Sequence, residues 1–164
     1  MDPHEAGASL RAAMVEMGGP DPSMPPVALG WATVELDRAE RAFAEAFAGS
    51  IGALEDAPDD ILLGARCRLI RMGAPGVPIV ILLEPFTEGR LAASLARHGE
   101  GPAAIWVRAD PSQAVAAAAR RPEPAMRWSI AAPGPFGTEV LLLDGPPSGP
   151  HRLLVLAEPG TITP

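Results

Sequence analysis

Along this chain, short runs of alternating apolar and polar residues take turns with longer stretches of helical spacing. Leu10, Ala13, Met14 and Met17 recur at helix intervals, which predicts a helix over His4–Met17. Gly18-Gly19-Pro20-Asp21-Pro22 and Pro25-Pro26 follow and read as a linker. Val27–Glu35 reads as a strand. Asp37 then reads as a helix N-cap, with Glu40 three residues on completing a capping box. The helix carries Ala39, Phe43, Ala46 and Phe47 on one face and stops near Gly49. Extended segments are predicted at Ile51–Leu54, Ala65–Met72 and Val77–Glu84, the last two joined by the turn Gly73-Ala74-Pro75-Gly76. A connecting helix over Glu88–His98 exits through Gly99-Glu100-Gly101.

The same order then recurs. Pro102–Ala109 is a predicted strand, and Asp110 opens a second helix that reaches Arg120 or Arg121. Ala125–Ala131, Thr138–Asp144 and Arg152–Ala157 are the three extended segments after it. Two echoes support a repeat: Val34-Glu35-Leu36-Asp37 against Val107-Arg108-Ala109-Asp110, and Ile81-Leu82-Leu83-Glu84-Pro85 against Val155-Leu156-Ala157-Glu158-Pro159. The predicted organisation is an N-terminal helix and linker (1–26), a first βαβββ module with its connecting helix (27–98), and a second module with a tail (99–164).

Composition narrows the class. The chain has 164 residues, 48% of them hydrophobic and 20% charged, which is globular. A net charge of −7 disfavours a nucleic-acid partner. Apolar runs such as Ile79–Leu83 are too short to span a bilayer. The first residues lack a signal-peptide pattern, so a cytoplasmic location is expected. The lone Cys67 excludes an internal disulfide and a cysteine-rich metal site. All 13 basic residues are Arg, and Lys, Asn and Tyr are absent, as a GC-rich bacterial coding sequence would produce. Schiff-base lysine and tyrosine acid chemistry are thereby removed. Phosphate-loop, dinucleotide, zinc-protease and serine-hydrolase motifs are all missing.

The Leu36-Asp37-Arg38-Ala39 turn, the segment Leu82-Leu83-Glu84-Pro85 and the exit Gly99-Glu100-Gly101 together resemble the vicinal oxygen chelate superfamily, which includes glyoxalase I, bleomycin-resistance proteins and extradiol dioxygenases. They are most similar to its methylmalonyl-CoA epimerase branch. The resemblance covers about residues 27–159. It implies a mixed α/β fold of paired βαβββ modules that curl into a cup. It also implies a divalent metal in the cup, held by first and last strands of each module. Carried over residue by residue, the ligand positions are Ala28, Ile81, Ala104 and Val155. None offers a lone pair to a metal ion. The expectation is a metal-free protein without a cofactor that binds a small, partly apolar and possibly anionic molecule. Bleomycin-resistance-like sequestration is the model, with a possible homodimer. A cofactor-free isomerase, cyclase or lyase is the alternative, and a metal-dependent glyoxalase- or epimerase-type enzyme with displaced ligands is a second.

The remaining candidates follow from strand alternation. Trp106 shares the face of Ala104, so it either lines the cup or fills core. Trp31 has the opposite parity to Ala28 and is expected under a helix. The face of Trp128 is open. In Ala65–Met72, the Ala65/Cys67/Leu69 face is expected to pack on helices. Arg66 and Arg68 then face either the cup, as a carboxylate or phosphate anchor, or solvent. Glu84 and Glu158 read as solvated strand ends, and His98 and Glu100 as a helix exit. His151 and Glu139 are candidate acids or bases.

Overall fold

The computed structural model describes residues 3–17, 26–73, 79–108, 127–143 and 150–156. The elements are α1 (Pro3–Met17), β1 (Pro26–Ala32), α2 (Leu36–Ala46), β2 (Ile51–Asp60), β3 (Ala65–Met72), β4 (Ile79–Pro85), α3 (Arg90–His98), β5 (Gly101–Arg108), β6 (Ala132–Gly134), β7 (Gly137–Leu141) and β8 (His151–Val155). The expected second-module helix from Asp110, the strand end at Glu158 and Pro159, and most of the Gly73–Gly76 turn lie outside the described residues.

The eight strands form one mixed sheet in the order β2-β3-β4-β1-β5-β8-β7-β6. Read inward from either edge, each half has the same connectivity. The first strand of a half pairs parallel with its fourth, β1 with β4 and β5 with β8. The halves join through antiparallel β1 and β5, where Gly30 opposes Ala104 and Ala28 opposes Trp106. The sheet curls until its two edges approach, and Ile61 N–H donates to Pro133 O (3.4 Å).

Both faces of the sheet are apolar, because α1 and α2 cover one face while the curl, with Leu91 and Leu95 of α3, encloses the other. On the outer face Leu29, Trp31, Val80, Leu82 and Ile70 pack under α1 and α2, against Leu10, Leu36, Ala39, Phe43 and Phe47. Trp31 meets Phe43 edge-on, with ring centroids 5.2 Å apart. Leu10 of the α1 stripe is buried, and Arg11 sits over the Phe47 ring. Burying each such side chain contributes about 1.5–3 kcal/mol.

Several sequence-based expectations change here. Asp37 is not the N-cap of α2. Glu35 occupies that place, without a side-chain cap hydrogen bond. The free Leu36 N–H instead donates to Glu84 Oε2 (3.0 Å), so the helix is capped by a carboxylate from β4. Asp37 and Glu40 bind Arg68 rather than forming a capping box. Glu84 is thus no solvated strand end, since it also pairs with Arg66. β2 runs ten residues, well past the predicted Ile51–Leu54. In the second half, the described part of the expected Ala125–Ala131 strand, residues 127–131, is not a regular strand. Trp128 makes an isolated bridge to Leu142 and is partly exposed, and the regular pairing begins at Ala132.

The Gly99-Glu100-Gly101 exit has a structural task. Glu100 Oε1 accepts from Thr33 Oγ1 (2.6 Å), Val34 N–H (2.9 Å) and Arg38 Nη2 (2.6 Å). Burial works against its charge, yet these donors hold its pKa below the ordinary value. The start of the second half is thereby tied to the end of β1.

Replacing Glu84 with Ala removes the α2 cap and should cost about 1 kcal/mol in urea denaturation. Asp37→Ala removes one exposed ion pair and should cost about 0.3 kcal/mol. The reverse ranking would overturn the assignment of the cap.

Candidate functional site

The inner face of the curled sheet is built from alternate residues of seven strands. Ala28, Ile81, Ala104, Trp106 and Val155 belong to one buried cluster there, with Ala65, Cys67, Leu69, Leu83, Leu141 and Leu153. The five are 0–3% exposed. The small residues do not leave the centre open. A Cβ placed on Gly30 would lie 2.8 Å from both Ala104 Cβ and Trp106 Cζ3, and 2.7 Å from Leu83 Cδ1. The indole of Trp106 therefore fills the floor of the cup, and Gly30 permits its approach.

Arg66 and Arg68 lie on the other face. In β3 it is Ala65, Cys67 and Leu69 that point into the cup, the reverse of the expected packing. Arg66 pairs with Glu84, and Arg68 is clasped by Asp37 (2.8 Å), Glu40 and Asp56 (3.4 Å). Asp37 and Glu40 raise the Arg68 pKa further, their hydrogen bonds leading and burial opposing. Of the two placements left open for Arg66 and Arg68, the strand takes the one outside the cup, turning its charged face toward α2 and β2. A shallow groove of about 300 Å³ lined by Glu40, Leu54, Glu55, Asp56 and Arg68 marks this outer network.

Inside, the fully buried charged-type side chains among the described residues are two acids. Glu139 on β7 is fully buried. Its Oε2 accepts from Trp106 Nε1–H (2.7 Å), and its Oε1 from Phe136 N–H (2.9 Å). A Cβ on Gly134 would fall 2.6 Å from this carboxylate, so a glycine there is what admits it. Asp60, also fully buried, ends β2 opposite Ala65 and so shares the inward face. Its Oδ1 accepts from Leu63 N–H (2.8 Å), while Oδ2 has no hydrogen-bond partner among the described residues.

Burial dominates the titration of both acids. It pushes Glu139 up to about 7 against the hydrogen bonds from Phe136 and Trp106, and the Asp60 charge adds to the rise. It pushes Asp60 up to about 6 against the N–H groups of Leu63 and Leu62. The buried Cys67 thiol is raised by desolvation and then by the Asp60 charge, and is inert as a nucleophile. His151 opens β8 next to Ala104 and has the inward parity of Leu153 and Val155. Burial and then Arg90 lower its pKa, and its buried Nε2 is unpartnered among the described residues.

Glu139 and His151 thus both face the interior, at opposite ends of β8, since Glu139 opposes Val155 and His151 opposes Ala104. Asp60 was not singled out from the sequence, which placed no element between Leu54 and Ala65. Among the described residues no three His, Cys, Asp or Glu side chains are grouped to hold a metal ion. The four residues at the expected ligand positions do not fit one.

The folded pKa of Glu139 lies above its unfolded value near 4.5. Its contribution to stability is therefore fully present below pH 4.5 and lost as pH rises through about 7. The stability difference between wild type and Glu139→Gln should shift across that window by on the order of 3 kcal/mol. The opposing His151 effect, which is lost as pH falls, is common to both proteins and cancels. Urea denaturation at three pH values checks this, and a pH-independent difference would count against the buried acid.

The sequence matches no family model and no curated protein sequence. Solved structures do match. Methylmalonyl-CoA epimerase from Mycobacterium tuberculosis superposes with a TM-score of 0.62 at 19% identity, covering 79% of this chain and 85% of that one. A hypothetical protein from Bacillus halodurans gives 0.60 at 17%, covering 80% and 93%. A methylmalonyl-CoA epimerase in complex with methylmalonyl-CoA and NH4+ gives 0.59 at 22%, covering 79% and 91%. Likeness at these identities is a likeness of fold. With two four-strand halves joined β1 to β5 and curled around a common interior, the chain has the vicinal oxygen chelate fold.

Proposed function

We propose that this chain binds a small, partly apolar molecule in its cup without a metal ion. The observation that carries the reading is the inner face. Residues at all four expected ligand positions are aliphatic, and they share one cluster with the Trp106 indole. Apolar lining with a few placed polar groups is the usual character of a small-molecule site. The acidic net charge and the lack, among the described residues, of a helix long and apolar enough to cross a membrane fit a small-molecule partner. The guest is neutral or cationic rather than anionic, since the buried charged groups described inside the cup are carboxyls.

A second reading is favoured by one feature. Glu139 and Asp60 titrate near neutrality and face the same interior, which suits acid–base work in a cofactor-free isomerase, cyclase or lyase. Turnover separates the two: a binder returns its ligand unchanged.

Protein purified without added metal should contain far less than one divalent ion per chain, and EDTA should leave its melting temperature unchanged. Aromatic and aliphatic compounds of single-ring size should raise that temperature. A ligand at a hundred times its Kd stabilises by about 2.7 kcal/mol. Elemental analysis showing about one Zn, Ni, Co or Mn per chain would sink the metal-free reading. A compound panel with no stabilising member would sink the binding one.

A further inference from the structure

We propose that Asp60 and Glu139 form a site for a protonated amine at the seam where the sheet edges meet. This inference rests on the reading of the cup as a small-molecule site, and adds the chemical class of its guest.

Three observations converge. First, the two carboxyls lie inside the fold with no buried arginine beside them among the described residues, and the inward-facing His151 stands at the opposite end of β8 from Glu139. Among the described residues, the buried polar side chains are Thr33, Asp60 and Glu139, and Thr33 is committed to Glu100. Buried charges are ordinarily paired, so two acids without a cation leave the cationic half of an ion pair to be supplied. Second, Asp60 Oδ2 is fully enclosed, faces inward and has no partner among the described residues, so it offers an acceptor to an incoming N–H. Third, the surroundings suit an ammonium with an apolar body. Trp106 and Phe136 stand edge-to-face with centroids 5.9 Å apart, both donating to Glu139, and Leu63 and Cys67 line the same cluster. Aromatic rings beside carboxylates attract cations by charge and by their quadrupoles.

The seam also offers the route in. β6 is three residues long, and Ile61 N–H to Pro133 O is a long hydrogen bond between the two edges. Ile61, just beyond Asp60, is exposed. Parting β2 from β6 uncovers both acids at modest cost, whereas the β1–β5 centre stays locked by Trp106 against Gly30. Two other titratable groups face inward among the described residues: the Cys67 thiol, which burial and the Asp60 charge keep protonated, and His151, at the far end of β8 near Arg90. Arg108 opposes Val155 from the exposed end of β5.

No bond is made or broken in this binding. The guest arrives protonated, each acid it contacts ionises, and the displaced carboxyl protons pass to solvent. Binding is therefore coupled to proton release near neutrality.

The test is isothermal titration of the full chain at pH 6.5 with benzylamine, benzyl alcohol and benzoate, which share a ring and differ in charge. Repeating the amine titration in two buffers of different ionisation heat counts the protons. Benzylamine should bind at least tenfold more tightly than benzyl alcohol, benzoate should bind least, and amine binding should release protons. Asp60→Asn should bring the amine-to-alcohol ratio close to one. Glu139→Gln should do the same, and the Asp60 variant stands alone if loss of the Glu139 hydrogen bonds unfolds the protein. Equal affinity for amine and alcohol would overturn the amine site while leaving the cup reading intact. An amine preference unchanged in both variants would overturn the assignment to these acids. Failure of all three probes, in a protein that other apolar compounds stabilise, would overturn the amine site alone. Failure together with an unresponsive compound panel would overturn both readings.

Discussion

The hydrogen bond from Trp106 to Glu139 holds the interior of this fold in place. It runs from the central strand β5 across the cup to β7, next to the sheet edge, and ties the curl of the sheet to its middle. Two glycines make it possible. Gly30 leaves room for the indole above β1, and Gly134 leaves room for the carboxylate beside β6. A methyl group at either position would sit below 3 Å from its neighbour. The bond is short and buried, and each Glu139 oxygen has its own donor. Removing one partner would leave a buried polar group unpaired, at a cost of about 1–3 kcal/mol.

The outer face is organised by a different principle. There arginines and carboxylates fix the position of α2 on the sheet. Glu84 caps the helix and pairs with Arg66, Asp37 and Glu40 hold Arg68, and Glu100 gathers Arg38 with the end of β1. Most of these groups are partly exposed, so each ion pair adds little alone. The cap and the Glu100 cluster matter more, because they satisfy backbone N–H groups that would otherwise lack partners.

Much of the architecture was legible, and the failures have physical causes. Alternation in β1, β4 and β5, and the helical spacing of α2, identified the scaffold and placed Trp31 and Trp106 on opposite faces. Parity alone could not say which face was which. In β3 the apolar set Ala65, Cys67 and Leu69 was assigned to the helices, but a curled sheet buries both faces, so the apolar face belonged inside. The cap was misread because Asp37 has the right residue type one position beyond Leu36, whereas the true acceptor, Glu84, is distant in sequence. β2 was truncated because most of its residues are exposed and carry no alternation. Glu139 did carry a signal: it alternates in phase with Leu141, a charged residue at an apolar position. Asp60 carried none, since its burial follows from the meeting of β2 and β6, a contact that no local pattern encodes.

Charge is thus segregated across one layer of strands. The paired arginines of β3 stand outside, clasped by surface acids, while Asp60 and Glu139 stand inside with no buried arginine among the described residues. The dielectric differs on the two sides. Outside, water screens the ion pairs and makes them nearly interchangeable. Inside, each carboxylate meets little but aliphatic carbon, two aromatic rings and a few N–H groups, so ionisation is costly until a counter-charge arrives. An anion entering such an interior would add repulsion to desolvation. A neutral guest gains only burial and hydrogen bonds, whereas a cation gains both and relieves the two acids as well. On the amine-site reading, the sign of selectivity in the cup follows from where one strand, β3, turns its arginines: outward to α2, away from the two inner acids.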